Sequence, residues 1–285
     1  MQIVWCSGGL GNQMFQYAFY RSLQLGGKNV ALDISGFDGY ELHNGFELDK
    51  VFSIKINLAD KVLVNDIKQK ISQVNLLKRI WWKIFVNSRL GIEQKDFGYS
   101  SKFNNLQGLK YLKGYWQSEK YFDKFAAIIR DDFTFSVLNE INQPIAEYIL
   151  KANSISIHVR MGDYVNHPLH GGVCTIDYYQ RAIDFIKSEV EDPMFFVFSN
   201  DVEWCKKNLQ LENTIYVTGN DGENSYRDMQ LMSMCKHNII ANSSFSWWGA
   251  WLNNNSDKIV IAPEKWFNDE NINTCDLLPE NWMKI

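Results

Sequence analysis

No uninterrupted apolar run in this chain approaches the roughly 18 residues that a bilayer-crossing helix needs. The first residues, M-Q-I-V-W-C-S-G-G, carry neither a basic start nor an apolar core, so no secretory signal is expected. Cysteine is scarce and odd in number, at Cys6, Cys174, Cys205, Cys235 and Cys275, with no two close enough to form a C-x-x-C clip. Reduced thiols in a cytosolic protein are the expectation. Positive charge is not in excess: 29 Lys and Arg stand against 33 Asp and Glu, which argues against a general nucleic-acid binder. The five histidines (43, 158, 167, 170 and 237) show no metal-ligand spacing. A Walker lysine, a G-x-G-x-x-G fingerprint and a G-x-S-x-G elbow are all missing. No repeat, low-complexity tract or obvious linker interrupts the chain.

What is present is ordinary globular material: 285 residues, 46% hydrophobic and 22% charged, enough for one large domain or two of moderate size. Residues 2–33 read as a βαβ unit. Ile3–Cys6 form a strand, Ser7–Asn12 a turn, Gln13–Leu25 a helix stopped by Gly26-Gly27, and Val30–Asp33 a second strand. Helical pattern dominates at about 60–90 and 121–150, with loops between. The polar patch Lys151-Ala152-Asn153 marks the expected domain boundary, dividing an N-terminal α/β domain (1–153) from a C-terminal Rossmann-like domain (154–285).

From Ser154 the pattern alternates. Strands are expected at 154–160, 194–199, 214–218, 238–241 and 258–262. Helices are expected near 176–190 (N-cap Thr175), 202–209 (N-cap Asp201), 225–235 and 245–253. This argues for a parallel, doubly wound sheet, whose ligands bind beyond the carboxyl ends of the strands. Those ends read Arg160-Met161-Gly162-Asp163, Ser199-Asn200-Asp201, Thr218-Gly219-Asn220-Asp221, Asn242-Ser243-Ser244 and Pro263-Glu264. Carboxylates there suit ribose and base donors; arginine, serines and helix-start amides suit phosphates. Asp, Asn, Ser and Gly are also plain turn and cap residues. Arg160 has no such local role, and its forked donors fit a phosphate or carboxylate. His158 lies on the same strand face.

Two more segments stand out. In S-S-F-S-W-W-G-A-W-L (243–252) the serines sit at a strand-to-helix junction suited to an anion. Trp247, Trp248 and Trp251 read as helix packing, and Phe245 sits where it can touch a base. In G-G-L-G-N-Q (8–13) a strand, a glycine loop and a helix again favour a phosphate, although on spacing alone the signal is weak. Asp131-Asp132 reads as a solvated helix end. Residues 61–90 hold seven basic residues and one acid. A solvated helix with a buried aromatic side is one reading, and peripheral contact with an anionic membrane surface is the other.

Taken together, G-G-L-G-N-Q-M-F-Q-Y-A (8–18), H-V-R-M-G-D-Y (158–164) and S-S-F-S-W-W-G-A-W-L (243–252) resemble the α-1,2-fucosyltransferases of glycosyltransferase family 11. F-E-L-D-K-V-F (46–52), G-Y-W-Q-S-E-K-Y-F (114–122) and F-S-N-D-V-E-W-C (198–205) extend the similarity in family order. The resemblance implies an α/β, GT-B-like fold, GDP-β-L-fucose as donor, a galactoside acceptor that is free or lipid-linked, inversion, and no metal or other cofactor. It implies that Arg160 holds the β-phosphate. Gly9, Gly11 and Asn12 line the donor's pyrophosphate and sugar, Asp201 lies near ribose or guanine, and Ser243, Ser244 and Phe245 complete the donor site. Met161 departs from the second basic residue that many members carry. The lack of an animal-type membrane anchor fits a bacterial cytoplasmic enzyme, peripheral to the inner membrane if 61–90 touches it.

Beside Arg160, His158 and Asp163 are the nearest candidates for the catalytic base. A phosphate oxygen of the leaving group is a third acceptor of the proton, and the sequence leaves the three open. Gln117 and Glu119 are candidates for the acceptor side. Other readings are a different fucosyl linkage, a non-catalytic GDP-sugar-binding protein, and a membrane-surface scaffold.

Overall fold

The computed structural model describes residues 1–39, 43–72, 90–161 and 167–285. The chain divides into two compact units. The first comprises Met1–Thr134 and Asn273–Leu277; the second comprises Phe135–Ile272 and Leu278–Ile285.

The first unit is built on β1 (Gln2–Trp5), β2 (Val30–Asp33), β3 (Gly91–Glu93) and β4 (Lys110–Lys113), all parallel in the order β2-β1-β4-β3. The helix Leu10–Leu25 connects β1 to β2 and buries Met14, Phe15, Ala18, Phe19 and Leu23. It starts at Leu10, so Gly11 and Asn12 lie in its first turn rather than in a preceding loop. The expected strand and helix of 2–33 are otherwise in place. β3 and β4 went unread because they are short and mixed in character (G-I-E and K-Y-L-K), without a clear period of two.

Asp132 is not a solvated helix end, because its Oδ2 accepts from Tyr17 Oη at 3.0 Å and from Arg21 Nε at 2.8 Å. Of the basic segment 61–90, the helix Lys61–Ser72 buries Val64 and Ile67 against Ile3 and Tyr111. Its Lys68 reaches the buried Asp33 at 3.0 Å, where Tyr111 Oη also donates at 2.7 Å. Residues 73–89, with the Lys78–Lys83 cluster, lie outside the described residues.

The second unit holds a six-stranded parallel sheet: β5 (Asn153–Val159), β6 (Pro193–Ser199), β7 (Thr214–Tyr216), β8 (His237–Ile239), β9 (Val260–Ala262) and β10 (Met283–Lys284). The order is β10-β9-β8-β5-β6-β7. Helices cover both faces of the sheet, so β6 is a nearly continuous apolar run (P-M-F-F-V-F-S), while β5 (N-S-I-S-I-H-V) buries Ser154, Ser156 and His158 on the face opposite Ile155, Ile157 and Val159. Ile155, Ile157 and Val159 pack under the helix Ile176–Glu189 through Tyr179, Ile183 and Ile186. Phe196 and Phe198 pack with Ala146 and Ile149 of the helix Gln143–Lys151, and with Leu231 and Met232 of the helix Tyr226–Met234.

That packing moves the domain boundary. The helix Gln143–Lys151 was expected in the N-terminal domain, but its buried face belongs to the second sheet, and the division falls between Thr134 and Phe135. The polar Lys151–Asn153 patch is only the surface turn between that helix and β5. Segment 273–277 also belongs to the first unit, where Asp276 accepts from Tyr99 N–H at 2.9 Å and pairs with Lys120 at 2.8 Å.

The connections run outward from β5 to β6 and β7, then return to place β8 on the other side of β5. The strand order therefore reverses between β5 and β8. Such a switch point opens a crevice beyond the strand ends. On the β8 side the helix Ser244–Leu252 buries Trp247, Trp248 and Trp251, as the packing reading expected. Gly249 lets this helix approach its neighbour: a Cβ there would stand 2.9 Å from Met232 Cβ. Gly249→Ala is accordingly expected to lower stability by about 1–3 kcal/mol through overpacking, read as a lower midpoint in thermal or urea unfolding.

Candidate functional site

The second unit gathers the chemistry at its switch point. β5 delivers Arg160, half-buried, just past Val159. Met161 N–H donates to Asn200 Oδ1 at 2.8 Å, tying the exit of β5 to the exit of β6. Gly162 and the base candidate Asp163 lie outside the described residues. Asp201 accepts from Trp204 N–H at 2.9 Å and so caps the helix Val202–Asn208, the local role expected of it. Thr175 caps the helix Ile176–Glu189 in the same manner, accepting from Tyr178 N–H at 3.2 Å.

Beyond β8, Ser243 is buried and accepts from Phe245 N–H at 3.3 Å, capping the helix that Ser244 begins. The first-turn N–H groups and the dipole of that helix make its start attractive to an anion. Asn242 is buried and fully used. Its Nδ2 donates to the carbonyls of His170 (3.3 Å) and Trp266 (3.1 Å), and its Oδ1 faces Cys174 Sγ at 3.4 Å. Phe245 sits 5.8 Å, ring to ring, from His158.

His158 is 6% exposed, and its backbone carbonyl accepts from Tyr179 Oη at 3.0 Å. Burial, reinforced by the neighbouring Arg160 charge, pushes its imidazole down to about 3. Its Nδ1 is buried and has no hydrogen-bond partner among the described residues. An imidazole held neutral in this way is a poor proton acceptor at neutral pH.

The alternation of strands and helices did not single out Asp228, in the first turn of the helix Tyr226–Met234. Burial pushes its carboxyl up to about 7, opposed by a 2.8 Å hydrogen bond from Asn220 Nδ2 and assisted by the charge of Asp221. Asn220 is locked in turn to Asn142 by reciprocal amide bonds of 2.8 and 3.0 Å. A sequence reader could have found Asp228 only through its position eight residues after the Asn220 strand end.

The first unit holds the glycine loop. Gly8 has φ +86, a conformation that glycine adopts without strain. Gly9 precedes the helix and its carbonyl accepts from Asn12 and Gln13 N–H, while Gly11 is buried in the first turn. Gln13 Nε2 donates to Gly8 and Gly45 carbonyls, both at 2.8 Å, and Gln13 Oε1 accepts from Glu47 N–H. Gln16 Oε1 accepts from Ser7 N–H at 2.9 Å. These two glutamines, which the sequence reading passed over, staple the loop. Asn12 Oδ1 accepts from Gln117 Nε2 at 2.8 Å. Glu119 lies in the 3-10 turn that follows.

An arginine and a serine-capped helix start thus stand at the reversal of the second unit's parallel sheet, and a glycine loop opens the first helix of the first unit. The whole chain, residues 1–285, matches the glycosyl transferase family 11 profile. The chain belongs to that family. It is 39% identical to an α-1,2-colitosyltransferase of Escherichia coli, covering 98% of this chain and 97% of the relative. It is 36% identical to the O-antigen biosynthesis glycosyltransferase WbnK of the same organism, covering 98% of each. A galactoside α-(1,2)-fucosyltransferase 1 of Saimiri boliviensis boliviensis is 26% identical over 87% of this chain and 64% of its own.

Among solved structures, the fold is shared with the α-1,6-fucosyltransferase NodZ soaked with GDP-fucose (TM-score 0.53, 13% identity, 88% of this chain and 91% of that one). It is shared equally with an arginine-to-lysine mutant of Arabidopsis thaliana FUT1 in complex with GDP (TM-score 0.53, 14% identity, 98% of this chain and 75% of that one). The family member is thus an α/β protein of the GT-B type, as the resemblance implied. Among the described residues no helix is long and apolar enough to cross a membrane.

The buried imidazole makes a pH prediction. The unfolded chain takes up a proton at His158 near the ordinary value of 6.5, while the folded chain resists it down to about 3. Stability from this group is full above pH 6.5 and is lost as pH falls toward 3, at up to about 1.4 kcal/mol per pH unit. Urea unfolding between pH 7 and 5 is expected to show a steeper acid loss in the native chain than in His158→Gln. Equal slopes would show that His158 is not held neutral.

Proposed function

We propose that this family member transfers L-fucose from GDP-β-L-fucose, with inversion, to a hydroxyl of a galactoside-terminated glycan, O2 of galactose in the first instance. The observation that carries the reading is the adjacency of β5 and β8, which brings the Arg160 exit beside the Ser243–Ser244 helix start. In the reaction the bond between the sugar's anomeric carbon and the β-phosphate oxygen breaks, and its electron pair leaves with GDP. A bond from the acceptor oxygen forms on the opposite face, and the acceptor proton passes to a base or to a phosphate oxygen.

Negative charge therefore grows on the β-phosphate. Arg160 and the Ser243/Ser244 amides are the groups of the second unit suited to meet it. The half-buried Asp228 carboxyl, steadied by Asn220, matches the paired N–H donors on the edge of guanine. Asn12 enters as a donor contact on the strength of the G-G-L-G-N-Q motif. His158, neutral and buried, is not assigned the acceptor proton. Asp201 keeps one oxygen on its helix cap and offers the other to ribose.

The α-1,2-colitosyltransferase relative, at 39% identity, supports a second reading in which the transferred sugar is colitose. Competition between GDP-fucose and GDP-colitose, with linkage analysis of the product, separates the two. A higher kcat/KM for GDP-fucose and an α-1,2 product are expected. The reverse ranking would make colitose the donor sugar and leave the site assignment in place.

Losing one charge-stabilising donor typically costs about 2.7–4 kcal/mol of barrier. Arg160→Ala is therefore expected to lower kcat by roughly a hundredfold or more, in assays that run equally well with EDTA. Near-native turnover in that variant, or a requirement for added metal, would contradict the proposed chemistry.

A further inference from the structure

The segment Gly114–Ser118 in the first unit is held in a conformation that it would not choose. Trp116 sits at φ +55, in the left-handed region that bulky residues avoid. It is fully buried, yet its Nε1 has no hydrogen-bond partner among the described residues. Both features are destabilising, so the surroundings must impose them. Gln94 Oε1 accepts from the backbone N–H groups of Tyr115 (3.1 Å) and Trp116 (2.8 Å). Gln16 Nε2 donates to the Gly114 carbonyl at 3.3 Å. The indole stacks on Phe19 at 4.1 Å between ring centres.

What the strained turn delivers is the next side chain. Ser118 N–H donates to the Trp116 carbonyl at 2.8 Å, a three-residue turn centred on Gln117. Gln117 is only 6% exposed, and its amide reaches Asn12 rather than solvent, donating from Nε2 to Asn12 Oδ1 at 2.8 Å. On its amino side, Asn12 packs against Gly8. A Cβ on Gly8 would stand 2.9 Å from Asn12 Nδ2, so the glycine leaves room for that amide. Asn12 is thus gripped at its carbonyl oxygen, and its remaining polar edge is a donor.

We infer that Gln117 is a positioning residue that fixes the orientation of the Asn12 amide. It commits the Asn12 oxygen to the protein and the Asn12 N–H₂ group to an oxygen of the donor's sugar, the part that GDP lacks. This role rests on the glycosyl-transfer reading above. It gives Gln117 a task distinct from contact with the acceptor, and it accounts for the strain at Trp116. Without the left-handed turn the Gln117 side chain would not be directed at Asn12.

Gln117→Glu tests this directly. Glutamate keeps the shape but can only accept at neutral pH, so Asn12 must turn its amino group toward it and present its oxygen outward. Gln117→Ala removes the grip without reversing it. If Gln117 fixes the amide, Gln117→Glu is the more damaging, lowering kcat about tenfold or more while the Kd for GDP stays within about twofold. Gln117→Ala falls between it and the native chain. In an Asn12→Ala background, Gln117→Glu lowers kcat no further, because the group it misdirects is gone.

A purely structural residue gives the opposite order, with alanine worse than glutamate in kcat and in melting temperature. That order, native-like kcat in Gln117→Glu, or an equal loss in the Asn12→Ala background would each overturn the role. Should Gln117→Glu fold poorly, Gln117→Ala and Asn12→Ala with their double variant still decide it, since non-additive losses support the pairing and additive ones overturn it. A native chain that neither binds GDP nor transfers sugar would instead overturn the functional reading on which the role depends.

Discussion

The parallel pairing of β5 with β6 on one side and β8 on the other is the constraint from which the second unit's chemistry follows. Ile155, Ser156 and Ile157 of β5 face His237, Asn238 and Ile239 of β8, while the full length of β5 registers with β6. Parallel strands all exit at one edge, so the residues that follow them emerge together. The register therefore sets Arg160 beside the segment Asn242–Ser244 without any contact designed for the purpose. The packing that enforces the register is apolar: Ile155, Ile157 and Val159 under one helix layer, and Phe196 and Phe198 under the other. Burying each such side chain fully contributes on the order of 1.5–3 kcal/mol, so the edge that carries the site rests on a layered core.

Charge and burial then divide the labour at that edge. Arg160 stays half-buried. His158, two residues earlier on the same face, is buried and neutral. Burial disfavours a charged imidazole there, and the neighbouring Arg160 charge adds to the effect. The half-buried Asp228 shows the converse. Burial pushes its carboxyl toward neutrality, against the hydrogen bond from Asn220.

Much of this was legible in the chain itself. The runs at 154–160 and 194–199 announce buried strands, and Thr175, Asp201 and Ser243 are caps with the side-chain bonds that such residues make. The G-G-L-G-N-Q motif marks the strand-to-helix junction of the first unit. Less legible was whatever depends on distant partners. Gln13, Gln16, Gln94 and Gln117 look like ordinary polar residues until folding brings each to a particular backbone or amide group, and no local period announces that. β3 and β4 are short strands formed by pairing rather than by propensity. The domain boundary was misplaced because a polar patch signals exposure, whereas unit membership is decided by where the apolar face of the helix Gln143–Lys151 packs.

The proposed reaction depends above all on Arg160 meeting the β-phosphate of the donor. The most direct measurement is the affinity of GMP and of GDP for the native chain and for Arg160→Ala by titration calorimetry. The native chain is expected to gain affinity from GMP to GDP and the variant to lose most of that gain, while GMP binding changes little. The same gain from the second phosphate in both proteins would contradict it.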